Sequence, residues 1–93
     1  PDRSDEDLLF QVMLDLGIPL SAKIEQDGEI FNVNDNYLIA CFSTLDTAMV
    51  TEIAQKQPYY AEFRDSSFAN DSALVNVEQV FNTYSPSTIR RVL

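Results

Sequence analysis

The chain has 93 residues, 45% of them hydrophobic, and 15 Asp or Glu against 6 Lys or Arg give a net charge of -9. This length suits one small domain with a single core, and no apolar run approaches the ~20 residues of a membrane-spanning helix. The acidic balance argues against DNA binding, because affinity for a duplex comes from Lys and Arg. An acidic balance of this kind is typical of a domain whose net charge maintains solubility, or of a domain that binds a basic protein partner.

The chain opens on Pro1 and continues with an acidic segment, which is neither an initiating methionine nor a secretory signal. We therefore expect it to be a fragment of a longer polypeptide. The single cysteine, Cys41, lies in an apolar run, and the chain contains no histidine. Both features indicate a buried, unreactive thiol and a reducing, cytoplasmic setting.

The first predicted helix begins after Ser4, a capping residue, and ends at Gly17. An ordinary surface helix carries one apolar stripe, and this helix has more apolar residues than one stripe holds: Leu8, Leu9, Phe10, Val12, Met13, Leu14 and Leu16. We therefore predict that the helix contacts a partner, with Phe10, Met13 and Leu14 as the candidate interface. The alternative is that the helix is enclosed within this domain.

A hairpin and a buried strand are predicted next. Leu20 to Gln26 and Glu29 to Val33 have strand character and flank Asp27-Gly28, a favoured two-residue turn. Asn34-Asp35-Asn36 forms a second turn. Tyr37 to Phe42 is continuously apolar, which is typical of a strand covered on both faces.

The rest of the chain alternates between helix and strand. Apolar residues at helical spacing between positions 45 and 54 predict a second helix, capped by Thr44 or Asp46 and ended by Pro58. Tyr59 to Arg64 alternates as a strand does. The last helix, capped by Asn70 or Asp71, presents an apolar face made of Ala73, Val77, Val80, Phe81 and Tyr84. Residues 88–93 form a closing strand.

This order of elements predicts an α/β fold. The hairpin supplies an antiparallel half, and two right-handed strand–helix–strand crossovers supply a parallel half of the same sheet. We expect a single domain over residues 1–93, with a mixed sheet of about five strands in two or three layers.

Carboxylates provide one candidate site. Glu62, Asp65 and Asp71 cluster around one predicted loop and suit Mg²⁺ or Ca²⁺ in a small metal-dependent enzyme. Their spacing matches no calcium loop, and Asp71 has a capping role, so structural roles are favoured. Gly17 and Gly28 are the only glycines, which excludes a phosphate-binding loop and a dinucleotide fingerprint.

Aromatic residues provide another candidate site. Six of them could stack nucleic-acid bases: Phe31, Tyr37, Phe42, Tyr59, Tyr60 and Phe63. Only one basic residue, Lys56, lies between the first and the last of them, so the sequence favours core packing over a nucleic-acid-binding module.

Two long segments resemble a known family. The run from residue 63 to 81 reads FRDSSFANDSALVNVEQVF, and the run from residue 1 to 17 reads PDRSDEDLLFQVMLDLG. Both are similar to the C-terminal region of the modification (Mod) subunit of type III restriction–modification systems, a site-specific adenine DNA methyltransferase. The stretch from Asp35 to Thr47 is also similar, so the resemblance extends over nearly the whole chain.

The resemblance implies a parent enzyme that transfers a methyl group from S-adenosylmethionine to the N6 of adenine. The family's Asp-Pro-Pro-Tyr motif and its glycine-containing cofactor motif are absent from this sequence, so no catalytic, cofactor-binding or metal-binding residue is assigned to it. The implied function is a non-catalytic C-terminal assembly domain. Its implied partners are the rest of the Mod subunit, a second Mod subunit and the restriction (Res) subunit, with DNA reached only through the whole complex. A freestanding acidic protein-interaction domain is the alternative.

Overall fold

The computed structural model describes residues 5–64, 67–68 and 71–93, and for Asp71 the backbone alone. The elements in chain order are α1 Asp5–Asp15, β1 Ile24–Asp27, β2 Ile30–Val33, β3 Leu38–Cys41, α2 Thr47–Gln55, β4 Tyr60–Phe63, α3 Asp71–Tyr84 and β5 Ile89–Val92. The predicted mixed α/β fold is thus confirmed, with a five-stranded sheet. No helix in the described ranges has both the length and the apolar character needed to cross a bilayer.

The strands lie in the sheet in the same order as in the chain, β1-β2-β3-β4-β5. The pairs β1–β2 and β2–β3 are antiparallel, and β3–β4 and β4–β5 are parallel. Two right-handed crossovers that proceed in one direction place their helices on one face of the sheet. For this reason α2 and α3 share a face, and α1 is left to cover the other.

Each face of the sheet has its own core. On the first face, Ile39 and Cys41 of β3 and Phe63 of β4 pack with Val50 of α2 and Phe81 of α3. On the opposite face, α1 packs on side chains of β2 and β3, through these buried residues: Leu9, Val12, Met13, Phe31, Val33, Leu38, Ala40 and Phe42. The domain therefore has three layers, helix–sheet–helices.

The end of α1 is fixed by Gly17, as predicted. The Ile18 amide donates to the Met13 carbonyl at 2.8 Å, and the Gly17 amide donates to the Leu14 carbonyl at 3.1 Å. These are the two bonds of a Schellman motif, which requires the left-handed conformation that Gly17 adopts, with φ of 72°. The Ile18 side chain then packs into the core between α1 and the sheet. The predicted cap, Ser4, lies outside the described residues.

The hairpin differs from its prediction by one residue. Asp27 pairs with Ile30, so the two-residue turn is Gly28-Glu29 and not Asp27-Gly28. Gly28 has φ of 61°, and a glycine at the first turn position is what a type II′ turn requires. The strand also begins at Ile24, later than predicted, because the Ala22 amide donates to the carbonyl of Pro19 and bends the preceding segment.

The crossover helices follow their predicted patterns closely. The Asp46 carboxylate caps α2 by accepting from the Met49 amide at 2.8 Å. Val77 and Phe81 of α3 are buried. The sequence predicts Tyr84 on the same face, but its side chain is 41% exposed because α3 ends at this residue. The alternative caps of α3, Asn70 and the Asp71 side chain, lie outside the described residues.

The central strand is β3, whose four residues are all buried. Cys41 is fully buried, and Phe42, directly after the strand, is 3% exposed. Burial is the main cause that raises the pKa of the Cys41 thiol. This confirms the prediction that both residues belong to the core and agrees with an unreactive thiol.

Candidate functional site

The outer flank of α1 is apolar and exposed. Leu9, Val12 and Met13 are buried in the domain, whereas Phe10 is 39% and Leu14 is 61% exposed. Phe10 and Leu14 are four residues apart, so their side chains are neighbours on the helix surface. We call these two side chains the α1 flank. Met13 does not belong to a candidate interface, because its side chain is fully enclosed by the domain's own core.

The charges on α1 are all acidic. Asp5, Glu6 and Asp7 form its first turn, and its last turn has no basic residue. Carboxylates at a helix N-terminus are stabilised by the helix dipole, which explains why the helix tolerates them. Because of these carboxylates, the α1 flank lies on the most acidic helix among the described residues.

Of the predicted carboxylate cluster, only the Glu62 side chain lies within the described residues. Glu62 lies on β4 and is fully buried, and by strand alternation it faces the α1 layer. Asp65 and the side chain of Asp71 lie outside the described residues. Among the side chains that the structure does describe, no group of three or more carboxylates or thiols could hold a metal ion.

Glu62 is instead one half of a buried ion pair. Arg91 of β5, its register partner, places Nε 3.1 Å from Glu62 Oε1. Neither carboxylate oxygen accepts a hydrogen bond. Burial raises the pKa of Glu62, Arg91 opposes that effect, and the charge of Asp15 on α1 adds to it. Arg91 is therefore the group that favours the charged form of this carboxylate.

Arg90 is occupied on the other face of the sheet. Its Nε lies 3.3 Å from Glu78 Oε2 on α3, and its guanidinium lies 5.5 Å from the centre of the Phe81 ring. The Arg90-Arg91 pair therefore points to opposite faces of β5, and each guanidinium has an acidic partner. The pair does not form a joint basic patch for phosphates.

Three tyrosines cluster where the parallel strands begin. The Tyr37 and Tyr59 rings are stacked, with centroids 5.3 Å apart and planes 9° from parallel. Tyr60 contacts both rings edge-on, at 5.7 and 4.8 Å. Tyr37 is 37% and Tyr59 is 55% exposed. The prediction of core packing is correct for Phe31, Phe42 and Phe63 but wrong for this tyrosine pair.

An open cavity of about 550 Å³ lies beside the stacked pair. We call it the tyrosine pocket, and its lining consists of Asn34, Asp35, Asn36, Tyr37, Lys56, Gln57, Pro58, Tyr59 and Ser87. Every non-glycine residue with positive φ in the described ranges lies in this lining: Asn34, Asp35, Asn36 and Gln57. Such conformations concentrate at ligand-binding positions.

Local hydrogen bonds hold the turn of the tyrosine pocket in shape. The Asn32 side chain donates to Asn36 Oδ1 at 2.6 Å and accepts from the Asn36 amide at 2.7 Å. Asn and Asp adopt the left-handed conformation more readily than other non-glycine residues. The sequence Asn34-Asp35-Asn36 thus permits three successive left-handed residues, and the following Tyr37 is fixed at the rim.

Comparisons with known proteins give no relative. No protein-family model matches the chain, and no match is found among curated proteins or among solved structures. The resemblance to type III modification subunits therefore stays a prediction from the sequence.

Proposed function

We propose that this chain is a non-catalytic assembly domain, the C-terminal domain of the Mod subunit of a type III restriction–modification system. The observation that carries the assembly role is the α1 flank, where Phe10 and Leu14 are exposed on a helix whose other face is fully packed. The sequence resemblance supports the choice of parent. In that parent, a cytoplasmic enzyme, S-adenosylmethionine and DNA would be bound by other parts of the subunit.

The α1 flank suits a helix-in-groove contact. An aromatic and an aliphatic side chain at positions i and i+4 form the pair of anchors that such a groove accepts, and aromatic anchors contribute most to binding energy. The acidic first turn of α1 favours a groove with basic residues at its rim. We propose a second Mod subunit as the partner, and the Res subunit is the other possible outcome of the test.

The charge substitution Phe10→Glu tests this role in the parent enzyme. We expect assembly of the complete Mod subunit to weaken by at least about tenfold, because a carboxylate cannot enter an apolar groove without losing its hydration. Sedimentation of the full-length subunit, alone and with the Res subunit, measures the effect. The matched control is Leu74→Glu, an equally exposed apolar position on α3 (42%).

Two results would contradict the proposal in different ways. If Phe10→Glu unfolds the 93-residue chain, as judged by circular dichroism, Phe10 belongs to the domain's own core. If the variant is folded and assembles as tightly as Leu74→Glu, the α1 flank is not the interface. A folded but dissociated variant supports it, and the species that dissociates identifies the partner.

The same proposal predicts that the 93-residue chain does not bind S-adenosylmethionine. The family's glycine-containing cofactor motif is absent from this sequence, and the resemblance implies that this motif, elsewhere in the subunit, holds the cofactor. Isothermal titration calorimetry should show no saturable heat at micromolar concentrations. Saturable micromolar binding would instead favour an independent enzyme.

A further inference from the structure

The tyrosine pocket lies beside the C-termini of both crossover helices. In the lining, Lys56 and Gln57 directly follow α2. The Gln57 side chain donates to the carbonyl of Tyr84, the last residue of α3, at 3.2 Å. A helix C-terminus carries a partial negative charge, so two of them create a negative potential at this rim. That potential favours a cationic ligand.

The tyrosine rings favour the same kind of ligand. An aromatic face attracts a cation through its quadrupole, and a ring face that protein does not cover is open to a cationic ligand. Tyr37 and Tyr59 cover one face of each other, and Tyr59 is still 55% exposed. The stacked pair therefore offers an accessible ring surface at the pocket with which a planar cation can stack.

The surrounding charges are consistent with a basic partner. Asp35 belongs to the lining, and the contact of its carboxylate with Lys23 Nζ is long, at 3.7 Å, with both side chains mostly exposed. Such a surface pair contributes little, so the carboxylate is available to a ligand. The net charge of -9 attracts cations from a distance and repels phosphates.

From these features we propose that the tyrosine pocket binds an arginine side chain presented by a basic segment of a partner polypeptide. The guanidinium is planar, stacks on aromatic rings and donates in several directions at once, which the ammonium of lysine does less well. The carboxylate of Asp35 accepts hydrogen bonds from the guanidinium, and the guanidinium stacks on the ring of Tyr59. This site is separate from the α1 flank, and it does not depend on the identity of the parent enzyme.

Lys56 acts against such a ligand. It is a cation in the lining, and no acidic side chain in the described part of the chain lies within ion-pair distance of it. It partly offsets the negative potential of the empty pocket and competes with an incoming guanidinium. Removing its charge should therefore tighten binding, an effect that general loss of structure would not produce.

The test uses a synthetic heptapeptide of alternating glycine and arginine with blocked termini, titrated into the isotopically labelled 93-residue chain and followed by NMR. We expect saturable shifts confined to the amides of residues 34–37, 56, 57 and 59. Affinity should fall from the arginine peptide to its lysine analogue and then to its citrulline analogue, because citrulline keeps the shape and loses the charge.

Matched variants define the contribution of each group. Tyr59→Leu should weaken binding by at least about threefold, whereas Tyr59→Phe, which keeps an aromatic face, should not. Asp35→Asn should weaken binding and Lys56→Gln should tighten it. Leu74→Gln, at an exposed position of α3 outside the lining, is the control and should leave affinity unchanged. None of these variants alters α1, so failure here is distinct from failure of the assembly role.

The proposal is overturned by any of three results. Shifts spread evenly over the acidic surface would mean unspecific attraction. Equal binding of the citrulline peptide would mean that charge is not recognised. A Tyr59→Leu variant that is folded, as its spectrum shows, and binds as tightly as the parent chain would mean that the rings do not contribute.

Discussion

Replacing Phe42 by alanine should lower the free energy of unfolding by about 3–5 kcal/mol. The ring is 3% exposed, lies 6.3 Å from that of Phe31 and belongs to the core that α1 covers. Its removal loses buried apolar area and leaves a cavity, because the surrounding strands and helix cannot fully collapse into the space. A loss of this size approaches the whole stability of many small domains. Urea denaturation followed by circular dichroism measures it.

The companion substitution Phe10→Ala separates burial from residue type. Phe10 is 39% exposed, so its truncation in the 93-residue chain should cost clearly less than that of Phe42. Similar losses for both phenylalanines would mean that α1 is rotated relative to the sheet from the position seen here. An unchanged midpoint for Phe42→Ala would place the end of β3 at the surface.

Replacing Arg91 by methionine should destabilise the domain by about 2–3 kcal/mol at pH 7. Removing one partner of a buried ion pair costs roughly 3–5 kcal/mol. The smaller loss is expected here because only Glu62, at 1% exposure, is buried, whereas the Arg91 side chain is 35% exposed. Methionine retains much of the apolar stem of arginine. The main loss is therefore the charge that compensates the buried carboxylate.

The loss should depend on pH in a defined direction. The folded-state pKa of Glu62 is raised above its ordinary value of 4.5, so folding favours the protonated acid. The stability that the protonated Glu62 contributes is fully present below pH 4.5 and is lost as pH rises through the folded-state pKa. Without Arg91 that pKa rises further. The deficit of Arg91→Met should therefore be greatest near neutral pH and shrink as pH falls.

Glu62→Gln provides the control for this pair. In that background the substitution Arg91→Met should cost much less, and the pH dependence that comes from this site should disappear, which a double-mutant cycle at several pH values measures. A deficit of Arg91→Met that stays constant down to pH 4.5 would show that Glu62 reaches water once its partner is removed.

Most of the fold follows from sequence periodicity. The continuous apolar run that contains β3 predicts a strand covered on both faces, and Asp46 is recognisable as a cap. The hairpin turn is displaced by one residue because Asp27-Gly28 and Gly28-Glu29 are both acceptable two-residue loops. Only the pairing of Asp27 with Ile30 decides between them, and pairing register depends on the neighbouring strand.

The sites are less predictable because they depend on how elements meet. An excess of apolar residues on α1 indicates a second contact, but the sequence does not fix the rotation of the helix, so Met13 could not be separated from Phe10. Alternation along the predicted strand groups Tyr59 with Ala61 and Phe63. It cannot show that Tyr59 precedes β4 and is exposed. Glu62 looks solvent-facing by its charge, and its burial depends on Arg91, which is remote in the chain.

The order of the strands also bears on how this domain forms. Every strand pairs with the strand that precedes it in the chain, so no pairing has to wait for a segment that is made later. The sheet can grow at one edge while the polypeptide is synthesised, first as a meander and then by one crossover at a time. Such local connectivity is associated with fast folding and with short exposure of unpaired edges. A domain of this kind can reach its folded state before the partners of its surface are present.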